Sequence, residues 1–213
     1  MKTIEEMRKE VFDWTKQSYK EQLMAGTSGN LSMYDPESKI MVITPTSIPY
    51  EIILPEDMVA MRVDGTIIDG HYAPSSEWRL HAEIYKAFPD AGAVVHTHSP
   101  YATAFAVTHE PIPVILIEMV PFLGGDVPVA EFGVPGTDAV GLNSVEAMKN
   151  GRWACLMANH GVVAFGKDLK EAHIRAVYVE DAAKICYYAK TMGQIHVMRD
   201  EDIQAMFDVI NGK

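Results

Sequence analysis

The chain has 213 residues, 48% of them hydrophobic and 22% charged, and a formal net charge of −11. That length accommodates a single domain, and the composition is globular, which excludes an extended disordered chain. The acidic balance argues against nucleic acid and anionic membrane surfaces as partners, but not against a small phosphorylated ligand held by local groups.

The predicted elements run as follows. Ile4, Met7, Val11 and Trp14 recur at helical spacing, which predicts a helix over 4–24 stopped by Gly26. Residues 27–30 read as a tight turn, 31–34 as a strand, 35–38 as a hairpin turn and 39–44 as the returning strand. A single helical turn at 54–57 precedes a strand at 58–63, a turn at Asp64-Gly65 and a strand at 66–69. Leu80, Ile84, Ala87 and Phe88 mark a helix over 77–88, capped by a serine of the Ser75-Ser76 pair. A buried strand follows at 93–98, then a short helix at 100–107 and strand-like runs at 114–117 and 127–130. A helix over 137–148 leads to two strands, 154–158 and 162–165, joined by Asn159-His160-Gly161. Helices at 169–192 and 200–210 close the chain. Helices at both ends and strands joined by hairpins predict an α/β fold. Its central, largely antiparallel sheet is covered by helices on both faces, as one domain over 1–213.

Cys155 and Cys186 lie in unrelated segments without CxxC spacing, which argues against a disulfide framework. The charged N-terminus lacks the apolar core of a signal peptide, and no apolar run approaches the ~18 residues of a membrane span. A soluble, cytoplasmic protein is expected.

The chemistry concentrates in three histidines and one glutamate. His96 and His98 sit two apart in an apolar strand, so both imidazoles point to one face and can share one ion such as zinc. His160, in a polar corner between two apolar strands, is a candidate third ligand that leaves a position open. Glu77 occupies the first turn of its helix, where the dipole favours a carboxylate; beside a metal it can also serve as a base that takes a proton from carbon. His81, one turn later, is a rival ligand, but a supporting or core role is preferred. Phosphate fingerprints of the GxGxxG and GxxxxGK[ST] types are absent, as is a GxSxG elbow.

Five short segments occur in one order: GTSGNLS at 26–32, ITPTSIPYE at 43–51, PSSEWRLH at 74–81, HTHSPYATAFA at 96–106 and NHGVVAFG at 159–166. In this combination the chain resembles the class II aldolase/adducin family. The resemblance implies a helix–sheet–helix sandwich, commonly a homotetramer with sites between subunits. It implies a divalent metal, zinc first with manganese or cobalt as alternatives, on His96, His98 and His160. Glu77 becomes a proton-transferring carboxylate that can touch the metal. A substrate phosphate would be held by Thr27, Gly29 and Asn30, by Thr46 and Ser47, and by Ser75 and Ser76. Turn N–H groups, hydroxyls and a helix N-terminus can cradle an anion without lysine.

Two departures stand out. Ser47 replaces a glycine common in the aldolases, and Glu118 stands in a segment where those aldolases supply a tyrosine acid across the subunit interface. The resemblance therefore implies an aldolase that cleaves a ketose 1-phosphate, L-fuculose 1-phosphate or a 5-deoxy-pentulose 1-phosphate, to dihydroxyacetone phosphate and an aldehyde, with Glu118 as the second acid. Methylthioribulose-1-phosphate dehydration and pentulose-5-phosphate 4-epimerisation are the alternatives that keep the metal. A non-catalytic adducin-like interaction module is the alternative of another class, and the intact Glu77, His96, His98 and His160 argue against it.

Overall fold

The computed structural model describes residues 2–212. Helix α1 (Ile4–Lys20) starts at a capping box, in which the Thr3 hydroxyl accepts from the Glu6 N–H and the Glu6 carboxylate accepts from the Thr3 N–H. It ends four residues before the predicted stop. Gln22 takes a left-handed φ of 62°, which turns the chain, and Leu23 and Met24 are buried in the loop that follows.

Strands β1 (Asn30–Asp35) and β2 (Ile40–Ile43) form the expected hairpin. A 3₁₀ turn at Pro55–Asp57 precedes β3 (Val59–Met61) and β4 (Ile67–Asp69). Helix α2 (Trp78–Ala87), β5 (Ala93–Thr97) and α3 (Pro100–Thr108) follow. Then come α4 (Met119–Leu123), β6 (Val129–Ala130), α5 (Asp138–Met148), β7 (Ala154–Met157) and β8 (Gly161–Gly166). Helices α6 (Leu169–Met192) and α7 (Asp200–Ile210) complete the chain.

The eight strands form one sheet in the order β4-β3-β2-β1-β5-β8-β7-β6, antiparallel except for the β6–β7 pair. Period-two alternation divides its side chains between two cores. Ala93, Val95, Val162 and Ala164 pack with α1, α3, α4 and α6, whereas Val94, Val163 and Phe165 pack with α2 and α5. The three-layer expectation holds. Both cysteines are buried and free, Cys155 in β7 and Cys186 in α6. Among the described residues no helix is long and apolar enough to cross a membrane.

Three local expectations need correction. Residues 114–117 are not a strand: Pro111, Pro113 and Pro121 remove backbone donors around them, and the run leads instead into the five-residue α4. Ile112 and Val127 make only an isolated bridge, so the strand expected at 127–130 shrinks to two residues. The residue at the N-cap of α2 is Glu77 rather than a serine, although the Ser75 hydroxyl accepts from the Glu77 N–H at 3.3 Å.

Candidate active site

His96 is the penultimate residue of β5, on the face that looks toward α2, and His98 stands just beyond the strand end. The sharp β7–β8 corner brings His160 to them. Asn159 takes a left-handed φ of 55°, its N–H donates to Ala106 O, and its side-chain oxygen accepts from His109 Nε2 at 2.7 Å. Gly161 permits the close approach: a Cβ there would lie 2.5 Å from Thr97 O, with His96 and His98 ring atoms next nearest. The three ring centroids end 4.8 to 5.1 Å apart.

Glu77 reaches into this cluster from the start of α2. Its Oε2 is 3.2 Å from His96 Nε2 and accepts from Asn30 Nδ2 at 2.9 Å. Its Oε1 lies 3.1 Å from His160 Nε2, yet no hydrogen bond reaches this buried oxygen. One ligand atom from each of Glu77, His96, His98 and His160 falls within 4.8 Å of every other.

The chemistry of this donor set fits a divalent cation. His96 Nδ1 is 2.8 Å from Val162 O and must donate to it, so in the neutral ring that a metal requires the Nε2 lone pair faces the cluster. His98 Nε2 is 3.0 Å from His96 Nε2, close to the spacing of about 3.3 Å that two nitrogens adopt on one tetrahedral zinc. Burial, with the neighbouring His96 and His160, pushes His98 down to about 3, so it stays neutral and able to ligate. Burial alone would raise Glu77, but the imidazoles of His96 and His160 outweigh it and hold the carboxyl below its usual range. The orphaned Oε1 is therefore an ionised acceptor in want of a cation.

Beside the cluster lies a cleft of about 250 Å³. Thr27, Gly29, Asn30, Thr46, Ser47, Ser75, Ser76 and Glu77 all line it, as do His98 and His160. Apart from the two histidines no cationic side chain is among the described residues that line it. Ser47 keeps a φ of 58°, so the serine adopts the conformation a glycine would take, at a cost of order 1 kcal/mol. Gly29 has φ +90°, and a Cβ there would meet His96 O at 2.9 Å, so this turn lies directly on the end of β5. Asn30 lines the cleft, but its amide is already bonded to Glu77 and His81. Glu118 is apart from the group: it is half-buried at the start of α4 and does not line the cleft of its own chain.

Ser28, Pro45 and Pro135 also line the cleft and were not singled out from sequence. Ser28 lies inside the quoted GTSGNLS segment, whereas Pro135 comes from the β6–α5 loop, which carries no local signal.

The chain belongs to the class II aldolase and adducin N-terminal domain family, whose profile matches residues 9–187. It is 31% identical over 209 residues to 5-deoxy-D-ribulose 1-phosphate aldolase of Bacillus thuringiensis serovar kurstaki, covering 98% of this chain and 97% of that one. It is 33% identical over 186 residues to a 5-methylthioribulose-1-phosphate/5-deoxyribulose-1-phosphate aldolase of Rhodospirillum rubrum, covering 87% and 82%. Among solved structures it is similar to an L-fuculose 1-phosphate aldolase, with a TM-score of 0.91, 36% identity, and 97% and 96% of the two chains covered.

Proposed function

We propose that this enzyme is a metal-dependent sugar-phosphate aldolase that reversibly cleaves a 5-deoxy-pentulose 1-phosphate, or a close analogue with an apolar tail, to dihydroxyacetone phosphate and an aldehyde. One observation carries the reading: an ionised carboxylate oxygen without a hydrogen-bond partner faces three convergent imidazoles, beside a hydroxyl-lined cleft. The named relatives act on 5-deoxy and 5-methylthio pentulose phosphates, which favours an apolar aldehyde tail.

His96, His98 and His160, with Glu77 at hand, would hold a divalent cation, zinc in this reading. When bound, such an ion supplies Lewis-acid polarisation of the substrate's carbonyl and hydroxyl oxygens. The chain's own groups do the rest. Thr27, Gly29, Thr46, Ser47, Ser75 and Ser76 offer hydroxyls and turn N–H groups to the phosphate. In the synthetic direction Glu77 takes a proton from the hydroxymethyl carbon of dihydroxyacetone phosphate, and in cleavage it returns that proton to the same carbon. Glu118, absent from its own chain's cleft, would serve as the acid at the aldehyde oxygen of a neighbouring copy. That role requires an oligomer with shared sites, which this reading takes to be the homotetramer that the family resemblance implies. Phe132, Val134 and Leu142 are exposed apolar side chains that such an interface could cover. Two free, buried cysteines agree with a reducing cytoplasm.

The test is incubation of zinc-loaded enzyme with 5-deoxyribulose 1-phosphate and L-fuculose 1-phosphate, with dihydroxyacetone phosphate detected by coupled reduction. Release from the first at a higher kcat/KM is expected. No release from any ketose 1-phosphate by protein carrying one ion per chain would overturn the reading.

A further inference from the structure

A line of buried polar groups runs from the interior of the sheet–helix interface to Glu77. Asn30 and Ser32 lie two apart on β1, so both face α2, and His81 and Tyr85 lie four apart on α2, so both face β1. The Tyr85 hydroxyl is 2.7 Å from Ser32 Oγ, and Ser32 Oγ is 2.6 Å from His81 Nδ1. His81 Nε2 is 2.5 Å from Asn30 Oδ1, and Asn30 Nδ2 is 2.9 Å from Glu77 Oε2. Asn30, Ser32, His81 and Tyr85 are all buried, His81 and Ser32 completely.

Chemistry fixes the direction of every bond in this line. An ionised carboxylate only accepts, so Asn30 must turn its NH₂ toward Glu77 and its carbonyl toward His81. His81 must then carry its proton on Nε2, leaving Nδ1 to accept from the Ser32 hydroxyl. Ser32 Oγ in turn accepts from the Tyr85 O–H. Burial keeps His81 neutral, as this pattern requires. Both ring nitrogens of His81 are consumed, and it stands outside the four-residue metal cluster, so it is not a ligand.

We infer that His81 is a positioning residue for Glu77. By donating to Asn30 Oδ1 it prevents the amide from flipping and so pins Glu77 Oε2, leaving Oε1 alone free for the ion and the substrate proton. The two carboxylate oxygens are thereby made inequivalent before anything binds. A core role alone does not account for this arrangement. An apolar residue would fill the space without four buried polar groups to satisfy, and a misoriented member would leave a buried donor or acceptor unpaired. The inference rests on the proton-transfer role proposed for Glu77.

The test uses full-length protein loaded with cobalt(II) in place of zinc. His81→Phe should bind one cobalt per chain, because His96, His98 and His160 are untouched. Its visible absorption should move toward that of Glu77→Gln, and kcat for ketose 1-phosphate cleavage should fall about 10- to 100-fold with KM unchanged. His81→Gln, which keeps an N–H for Asn30, should recover most of both. Should His81→Phe fail to fold, Ser32→Ala removes the bond that fixes the His81 tautomer and should shift spectrum and kcat in the same direction. A wild-type cobalt spectrum and kcat in His81→Phe, or in Ser32→Ala where that variant decides, would overturn the inference. Equal impairment of the Phe and Gln variants would also overturn it. If the wild-type enzyme cleaves no ketose 1-phosphate, the aldolase reading fails, and the cobalt spectrum still decides the positioning role.

Discussion

Asn30 and His96 stand directly opposite one another in the β1–β5 ladder, and from those paired positions both side chains meet the same oxygen of Glu77. Asn30 Nδ2 donates to Oε2 at 2.9 Å, and His96 Nε2 approaches it at 3.2 Å. The carboxylate is thus clamped across two strands by one register pair. A slip of one residue between β1 and β5 would put the two groups on opposite faces of the sheet.

The clamp makes Glu77→Gln an informative substitution. The amide is isosteric, and the three imidazoles and the hydroxyls of the cleft are unchanged. The variant should keep one ion per chain and bind inorganic phosphate as the wild type does. Turnover should fall about 10²- to 10⁴-fold, the usual worth of a general acid–base group. Elemental analysis and steady-state kinetics on one preparation check it. Near-wild-type turnover would return Glu77 to the role of a helix-dipole partner, and loss of the ion would make it an obligatory ligand.

The histidines should separate from Glu77 by metal content. His98→Ala or His160→Ala leaves two imidazoles and should yield protein without a stoichiometric ion after gel filtration, with activity lost in parallel. Gly161→Ala reaches the same site through the backbone. Its Cβ would lie 2.5 Å from Thr97 O, so the corner must shift, and His160 with it. The expected result is a stability loss of about 1–3 kcal/mol together with weaker metal retention. Wild-type metal content and stability in Gly161→Ala would show that the corner yields without moving His160.

Much of this site was legible in the sequence. Strand periodicity placed His96 and His98 on one face, and the polar corner between two apolar strands marked His160. Less legible was anything that depends on which element lies against which. Asn30 reads from its segment as a phosphate contact, yet its amide is committed to Glu77 and His81 once α2 packs over β1. The spacings Asn30/Ser32 and His81/Tyr85 were present, but nothing local says that these two faces meet. Residues 114–117 misled for the opposite reason. Their composition is that of a strand, but the flanking prolines deny them a partner.

Burial of His81 sets a pH dependence of stability. Its imidazole is pushed down to about 3 by burial, from an ordinary value near 6.5. A base with a lowered folded value makes the unfolded state bind more protons in between, so stability falls as pH drops from about 6.5 toward 3. Between pH 7 and pH 5 this amounts to about 2 kcal/mol. In the metal-free protein His98 acts in the same direction, whereas His96, which Glu77 raises in spite of burial, acts against it. The difference between wild type and His81→Gln isolates the one group. Urea unfolding should show the wild type losing about 2 kcal/mol more than the variant over that interval. Parallel losses would mean that His81 protonates in the folded state at ordinary pH.

The role proposed for Glu118 leads to a test that depends on assembly. In one chain Glu77 lines the cleft and Glu118 does not. If Glu118 acts in a neighbour's cleft, each site takes Glu77 from one copy and Glu118 from another. Glu118→Gln should keep its metal and lose turnover, as Glu77→Gln does. Subunits of the two variants, unfolded and reassembled together, would then form some sites in which both carboxylates are intact. In a heterologous ring with random mixing at equal amounts, roughly a quarter of the sites are of that kind. Activity should therefore rise to about a quarter of the wild-type level, although each parent is nearly inactive. If the mixture shows only the average of its parents while size exclusion confirms mixed assemblies, Glu118 does not act across the interface. Unchanged turnover in Glu118→Gln alone would leave this residue as the N-cap of a short helix, and the acid at the aldehyde oxygen would have to come from another group.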